Sequence, residues 1–382
     1  MAADIQAMLL ETARKLEERL GGEKPRALIG FDGFVDEIID VVATRHSPTS
    51  YQRFATIAQL AKRIADAAGL STNLELVTTQ VKLGGNGPIM ANALAGLGVD
   101  VTYIGSVGYP AVHPVFEEFA AKCRVISICE PGHTDALEFD DGKLMLGKYQ
   151  TLDQVRWERI VQLIPVPELA EIAGAASLIA AVNWTMLPHL TEVWERFLAE
   201  VLPQPEPGAR LPIVFFDLCD PAKRQRAELV QALKTIQAFT AKSRPILGLN
   251  RKEATEVATA LGLEVPPSNR DASLRDITVA LGERLGLYGL VVHPTREAAV
   301  YMGGAYYHVP GPYTPKPRLT TGAGDNFNAG FCLGQMLGFS PQESLALGAG
   351  TSGFYVRNRR SPEGLELPAF LRTWAQNFGS EF

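Results

Sequence analysis

The chain contains no stretch of roughly 18 or more consecutive apolar residues, the minimum for a membrane-spanning helix, although 46% of its residues are hydrophobic. It also lacks an excess of positive charge, since 36 Lys and Arg stand against 42 Asp and Glu and leave a formal net charge of −6. Proteins that bind nucleic acid or an anionic membrane surface present a basic face, so neither partner is expected. Cysteine is scarce: Cys123, Cys129, Cys219 and Cys332 show neither a Cys-x-x-Cys redox pair nor metal-ligand spacing, and they read as free thiols of a reducing compartment. A Gly-x-x-x-x-Gly-Lys-Ser/Thr loop is absent, which argues against a P-loop ATPase. The nearest approach to a dinucleotide fingerprint, Gly85-x-Gly87, has Met90 where its third glycine belongs. Met1 to Leu20 mixes acidic and basic residues and has no signal-like apolar core. These absences predict a soluble, cytoplasmic protein that handles small molecules.

What the chain does have is alternation. Short apolar runs at Ala27–Phe31, Val101–Gly105, Ala176–Val182, Pro212–Phe216, Ile246–Leu249 and Leu290–Val292 read as buried strands. Between and around them, 5–20, 53–68, 89–97, 191–201 and the residues from Phe327 onward repeat their apolar positions at helical spacing. The order predicts an α/β protein, a doubly wound and mostly parallel sheet flanked by helices. Asp135 to Tyr149 reads instead as a β-hairpin turning at Asp141-Gly142, an insertion on that sheet.

The densest motif is Thr320-Thr321-Gly322-Ala323-Gly324-Asp325-Asn326-Phe327-Asn328-Ala329-Gly330-Phe331. No large side chain shields the backbone of 320–324, and a helical pattern follows, so the turn lies at a helix N-terminus, where free amides and the helix dipole favour an anion. Asp325, in the first turn, is placed either as a simple N-terminal charge or as a base beside that anion. Two further groups stand at strand ends, where open α/β sheets hold their ligands. Asp32 and Asp36 follow the first strand and can accept hydroxyl hydrogen bonds, while Gly84-Gly85-Asn86-Gly87-Pro88 combines close backbone approach with an amide able to donate and accept. Asn250-x-x-Glu253 follows the strand at 246–249, with both side chains one helical turn apart.

The long motif at 320–331, together with Gly84–Pro88, Ala91–Gly98 and Ile104–Gly108, resembles the two signatures of the PfkB/ribokinase-like carbohydrate kinase family. The resemblance implies a ribokinase-like fold over 1–382, a single domain carrying a small β lid from roughly 37–50 and 133–150. It implies transfer of the γ-phosphate of ATP, with Mg2+, to a hydroxyl of a sugar or sugar-like alcohol. Asp325 would be the base, and Gly322, Ala323 and Gly324 the anion hole. Asp36, Gly84, Gly85 and Asn86 would line the sugar site, with Asp32 assisting. Thr320, Thr321, His293 and Arg224 would meet the nucleotide, and Asn250 and Glu253 would place magnesium and phosphate through water. A homodimer through the lid is a further expectation. His293 stands where the family usually has Thr, and Leu319 where many members have the Asp of a monovalent-cation site. A catalytically silent sensor of sugar or nucleotide, a nucleoside kinase and an ADP-dependent kinase remain open alternatives.

Overall fold

The computed structural model describes residues 2–206, 208, 210–264 and 274–380. Its strands are β1 (Arg26–Phe31), β2 (Phe34–Ser47), β3 (Ser50–Arg53), β4 (Leu76–Gly84), β5 (Asp100–Gly105), β6 (Arg124–Ser127), β7 (Gly132–Phe139), β8 (Gly142–Lys148), β9 (Leu178–Ala181), β10 (Ile213–Asp217), β11 (Arg244–Leu249), β12 (Gly289–Val292), β13 (Glu297–Met302) and β14 (Ala305–Pro310). Nine of them form one sheet in the order β14-β13-β12-β11-β10-β9-β1-β5-β6. All neighbours from β12 to β6 run parallel, and β13 and β14 close the other edge antiparallel. Helices cover both faces, so β9 and β10 are buried at every residue, which is why these strands read as unbroken apolar runs in the sequence. Parallel alignment brings the C-terminal ends of β1, β9, β10, β11 and β12 to one edge. Asp32, Asn183, Asp217, Asn250 and His293 stand just there.

A second sheet has the order β3-β2-β7-β8, with β4 also paired to β2. Register assigns its two faces. Ile39, Val41, Leu137 and Phe139 point to one side and pack on Leu60 of the helix Ile57–Ala65, forming a small separate core. Asp36 pairs with Lys82 on β4 and with Thr134 on β7, so these three share the opposite face. The helix is shorter than the periodicity of 53–68 predicts. Residues 50–53 are taken into β3, and Thr56 then starts the helix through a capping box with Gln59. The hairpin also differs by one position: Phe139 pairs with Gly142, so Asp140 and Asp141 make the turn and Gly142 opens β8.

The helix Ala323–Met336 is buried from Asp325 to Met336 and packs between Asn86–Gly96 and Pro341–Asn358. All four cysteines are free. Among the described residues, no helix is long and apolar enough to cross a membrane.

Candidate active site

The turn at 320–324 is fixed by its own backbone. Gly322 caps the helix Ala323–Met336 with φ 91° and ψ −1°, a left-handed conformation that glycine adopts without steric cost. A Cβ there would lie 2.7 Å from the Tyr355 hydroxyl, which itself donates to the Thr321 carbonyl at 2.7 Å. The Gly322 carbonyl accepts from the Asn326 side chain at 2.9 Å. Of the amides expected to form the anion hole, that of Ala323 donates to the Thr320 carbonyl at 3.1 Å. The hydrogen bonds of the described residues leave the Gly322 and Gly324 N–H groups open, so two of the three expected donors are available.

Asp325 lies in the first turn of this helix and is buried. Burial holds its carboxyl well above the usual carboxylate range, and the nearby Asp217 and Asp32 carboxylates push the same way. The Asn86 side chain beside it works against them by favouring the charged form. Asn86 begins the helix Asn86–Gly96. The packing of this helix on Ala323–Met336 brings two N-terminal turns together, a juxtaposition that neither motif alone reveals.

Asp32 has a different task from the one expected. It is fully buried. Its carboxylate accepts from the Asn86 N–H at 2.8 Å, the Gly87 N–H at 2.8 Å and the Asn183 Nδ2 at 2.6 Å. Both oxygens are engaged by protein donors, and Asp32 anchors the glycine turn rather than a substrate hydroxyl. Burial nonetheless pushes its carboxyl up to about 6. Asp36 is the carboxylate on the cleft-facing side of the second sheet. It is 7% exposed and raised by burial, while Lys82, the neighbouring Thr134 hydroxyl and Lys143 draw it down. Gly84 is needed beside it, because a Cβ at that position would fall 2.5 Å from the Asp36 Oδ2.

On the far side of the turn, Asn250, His293, Tyr313, Thr320, Gly324 and Phe327 line a cleft of about 330 Å³. The structure thus brings together three of the residues expected to handle nucleotide and metal, Asn250, His293 and Thr320, with Gly324 of the expected anion hole. His293 stacks on Phe327 with ring centroids 4.7 Å apart. Burial pulls its imidazole down to about 4, so the ring is neutral at pH 7, and its buried Nε2 has no partner. Thr321, between this cleft and the second sheet, accepts from Lys143 Nζ at 3.0 Å.

Asn250 and Glu253 form the capping box of the helix Arg251–Ala260. The Glu253 oxygens accept from the Asn250 N–H at 2.8 Å and the Asp220 N–H at 2.9 Å. Beside them Asp217 accepts from Asn328 Nδ2 at 2.9 Å, while its other oxygen is buried without a partner. Burial first, and Glu253 second, raise the Asp217 carboxyl far above its ordinary value.

Arg224 is not gathered into the cleft. Its guanidinium lies 4.1 Å from the Trp184 ring centroid and donates to the carbonyls of Trp184, Leu187 and Pro188 and to Glu228. Every branch of the group is occupied in tying two loops together. Arg224→Ala should therefore lower stability by about 1–3 kcal/mol, the range for lost charge-assisted bonds, and leave the nucleotide KM unchanged; a raised KM at unchanged stability would restore the phosphate role.

Sequence reasoning missed Asn183, Tyr355, Lys82 and Lys143. Asn183 carried one signal, its position directly after an apolar strand. The lysines carried none, because their neighbours are set by strand register.

The model of the prokaryotic ketohexokinase family matches residues 2–374. The ketohexokinase of Haloferax volcanii is 30% identical over 366 residues, covering 95% of this chain and 94% of that protein. Among solved structures, the nucleoside kinase of Methanocaldococcus jannaschii, an archaeal member of the ribokinase family, superposes with a TM-score of 0.60 at 15% identity, covering 92% of this chain and 100% of that one. Arabidopsis thaliana ribokinase complexed with ribose and ATP gives a TM-score of 0.60 at 16% identity, with 92% and 99% covered. The fold of these neighbours is the ribokinase fold, and the chain itself belongs to the prokaryotic ketohexokinase family of carbohydrate kinases.

Proposed function

We propose that this kinase moves the γ-phosphoryl group of ATP to a hydroxyl of a ketohexose. The observation that carries the reading is the packing of the helix Asn86–Gly96 against Ala323–Met336, which sets Asn86 beside Asp325. It joins the acceptor side, Asp36 and the glycine turn at 84–87, to the anion-binding turn at 322–324. A neutral polyol suits Asp36, whose carboxylate can accept two hydroxyl hydrogen bonds. In the reaction Asp325 takes the proton of the attacking hydroxyl as its oxygen bonds to the γ-phosphorus. The bond from that phosphorus to the bridging oxygen of ADP breaks, and the electron pair leaves with ADP. The open Gly322 and Gly324 amides and the helix dipole stabilise charge on the transferring oxygens, so positioning and electrostatics do most of the catalysis.

Magnesium fits the donor set as an ion that keeps its waters. Among the described residues no cluster of three metal-ligating side chains is present, but Asp217 has a buried oxygen without a partner beside Glu253, and all donors are hard oxygens. Asp217, Asn250 and Glu253 would hold its water shell. When bound, the ion neutralises nucleotide phosphate charge.

We assign the second sheet as a lid over the acceptor, carried on a single domain spanning 1–382, with exposed apolar side chains such as Met145 and Leu146 serving a homodimer contact. Closure excludes water, which favours transfer to the sugar over hydrolysis. The enzyme would act in the cytoplasm. A nucleotide-turnover assay, ATP against ADP as donor over hexoses, ketohexoses, pentoses, polyols and nucleosides, tests the reading: ketohexose-dependent turnover with ATP supports it. A nucleoside hit, an ADP preference or binding without turnover would replace it with one of the alternatives.

The base assignment also sets a pH profile. Asp325 acts ionised, and burial raises its carboxyl, so kcat/KM should fall on acidification with a midpoint above the ordinary Asp value of about 3.9. Because the Asn86 side chain favours the ionised form, Asn86→Ala should shift that limb to higher pH. An unchanged midpoint would remove Asn86 from the control of the base.

A further inference from the structure

Three cations converge on the side of the site that faces the second sheet, and the mechanism above uses none of them. Lys82 on β4 is half-buried, Lys143 on β8 reaches Thr321 Oγ1 at 3.0 Å, and Arg359 ends the helix Pro341–Asn358 in a left-handed conformation with φ 61°. Burial lowers the Lys82 ammonium; Asp36 partly offsets this, and the charges of Lys143 and Arg359 add to the lowering. None of the three belongs to an ion pair among the described residues. Asp36 and Glu138 offset only part of this positive charge, so an anion brought to the same place is attracted to it. Their place identifies the anion. Lys143 touches the residue immediately before the Gly322 cap, where the open amides already select negative charge, whereas Asp36, on the same face of the sheet as Lys82, would repel an anionic acceptor.

We propose that Lys143, backed by Lys82 and Arg359, receives the terminal phosphate of the nucleotide, so that the sheet holding the acceptor also carries part of the donor's charge. The inference rests on the phosphotransfer reading and deepens it. Sugar and nucleotide then favour each other's binding, since each stabilises the seating of the sheet on Thr321.

Calorimetry on the full-length enzyme tests this with a non-hydrolysable ATP analogue and with ADP, each in the presence and absence of fructose. In Lys143→Met the analogue should lose about 10- to 100-fold in affinity, the worth of one charge-assisted hydrogen bond. ADP affinity should stay within about twofold, which also shows that the variant is folded, and Lys143→Arg should recover most of the loss. The fructose-dependent gain in analogue affinity should shrink with it. Equal losses for both nucleotides, or no loss for either, would overturn the proposal. So would a loss confined to binding of a ketohexose monophosphate, which would give the cations to the acceptor side. None of these readouts needs turnover: if the acceptor assignment fails, wild type turns over no ketohexose while the difference between analogue and ADP persists.

Discussion

Asp325→Asn should lower kcat by about 10²–10⁴, the range a general base supplies, without lowering the thermal unfolding midpoint. The two halves of this expectation have separate causes. Catalysis is lost because an amide cannot take the hydroxyl proton. Stability is kept because the substitution removes a buried charge that burial, Asp217 and Asp32 all disfavour, while the amide preserves the shape of the side chain. A midpoint equal to or above that of wild type, together with collapsed turnover, fits this account. Near-normal turnover would end the assignment of Asp325 as the base.

Asp32→Ala should act in the opposite way, on stability first. It strips the acceptor from the Asn86 N–H, the Gly87 N–H and the Asn183 side chain, all buried or nearly so. An orphaned buried donor costs about 1–3 kcal/mol, so the total of roughly 3–9 kcal/mol for three donors is a large part of the 5–15 kcal/mol that holds a typical domain together. Urea unfolding measures it directly. Asp32→Asn should recover little, because its NH2 group meets a donor wherever it points. Were Asp32 a substrate ligand, Asp32→Ala would keep wild-type stability and show only a raised KM for the sugar. That outcome would return it to the acceptor site.

The contrast between Asp325 and Asp32 shows what the sequence reveals and what it hides. The turn at 320–325 and the parallel strands are local patterns: an apolar run, a glycine cap and a helical period are each complete within a few residues. Asp325 was legible for that reason. The partners of Asp32 lie 54, 55 and 151 residues away, so a carboxylate next to the acceptor site looked like a ligand. Arg224 misled in the same manner, since the carbonyls of Trp184, Leu187 and Pro188 that occupy it come from another loop. Lys82 and Lys143 became visible only through strand register. Alternation in Leu74–Val81 marks a strand, but not which residue pairs with Asp36. The capping box at Asn250 and Glu253 was legible as a spacing, and the structure adds that Asp220 shares the Glu253 carboxylate.

The most direct test of the central claim is phosphorus NMR of the complete reaction, wild-type enzyme with fructose, ATP and magnesium. The account predicts one new monophosphate-ester resonance that grows in step with ADP and is absent when Asp325→Asn replaces wild type. ADP appearing with inorganic phosphate and no ester would contradict it, because the site would then deliver the phosphoryl group to water and not to a sugar hydroxyl.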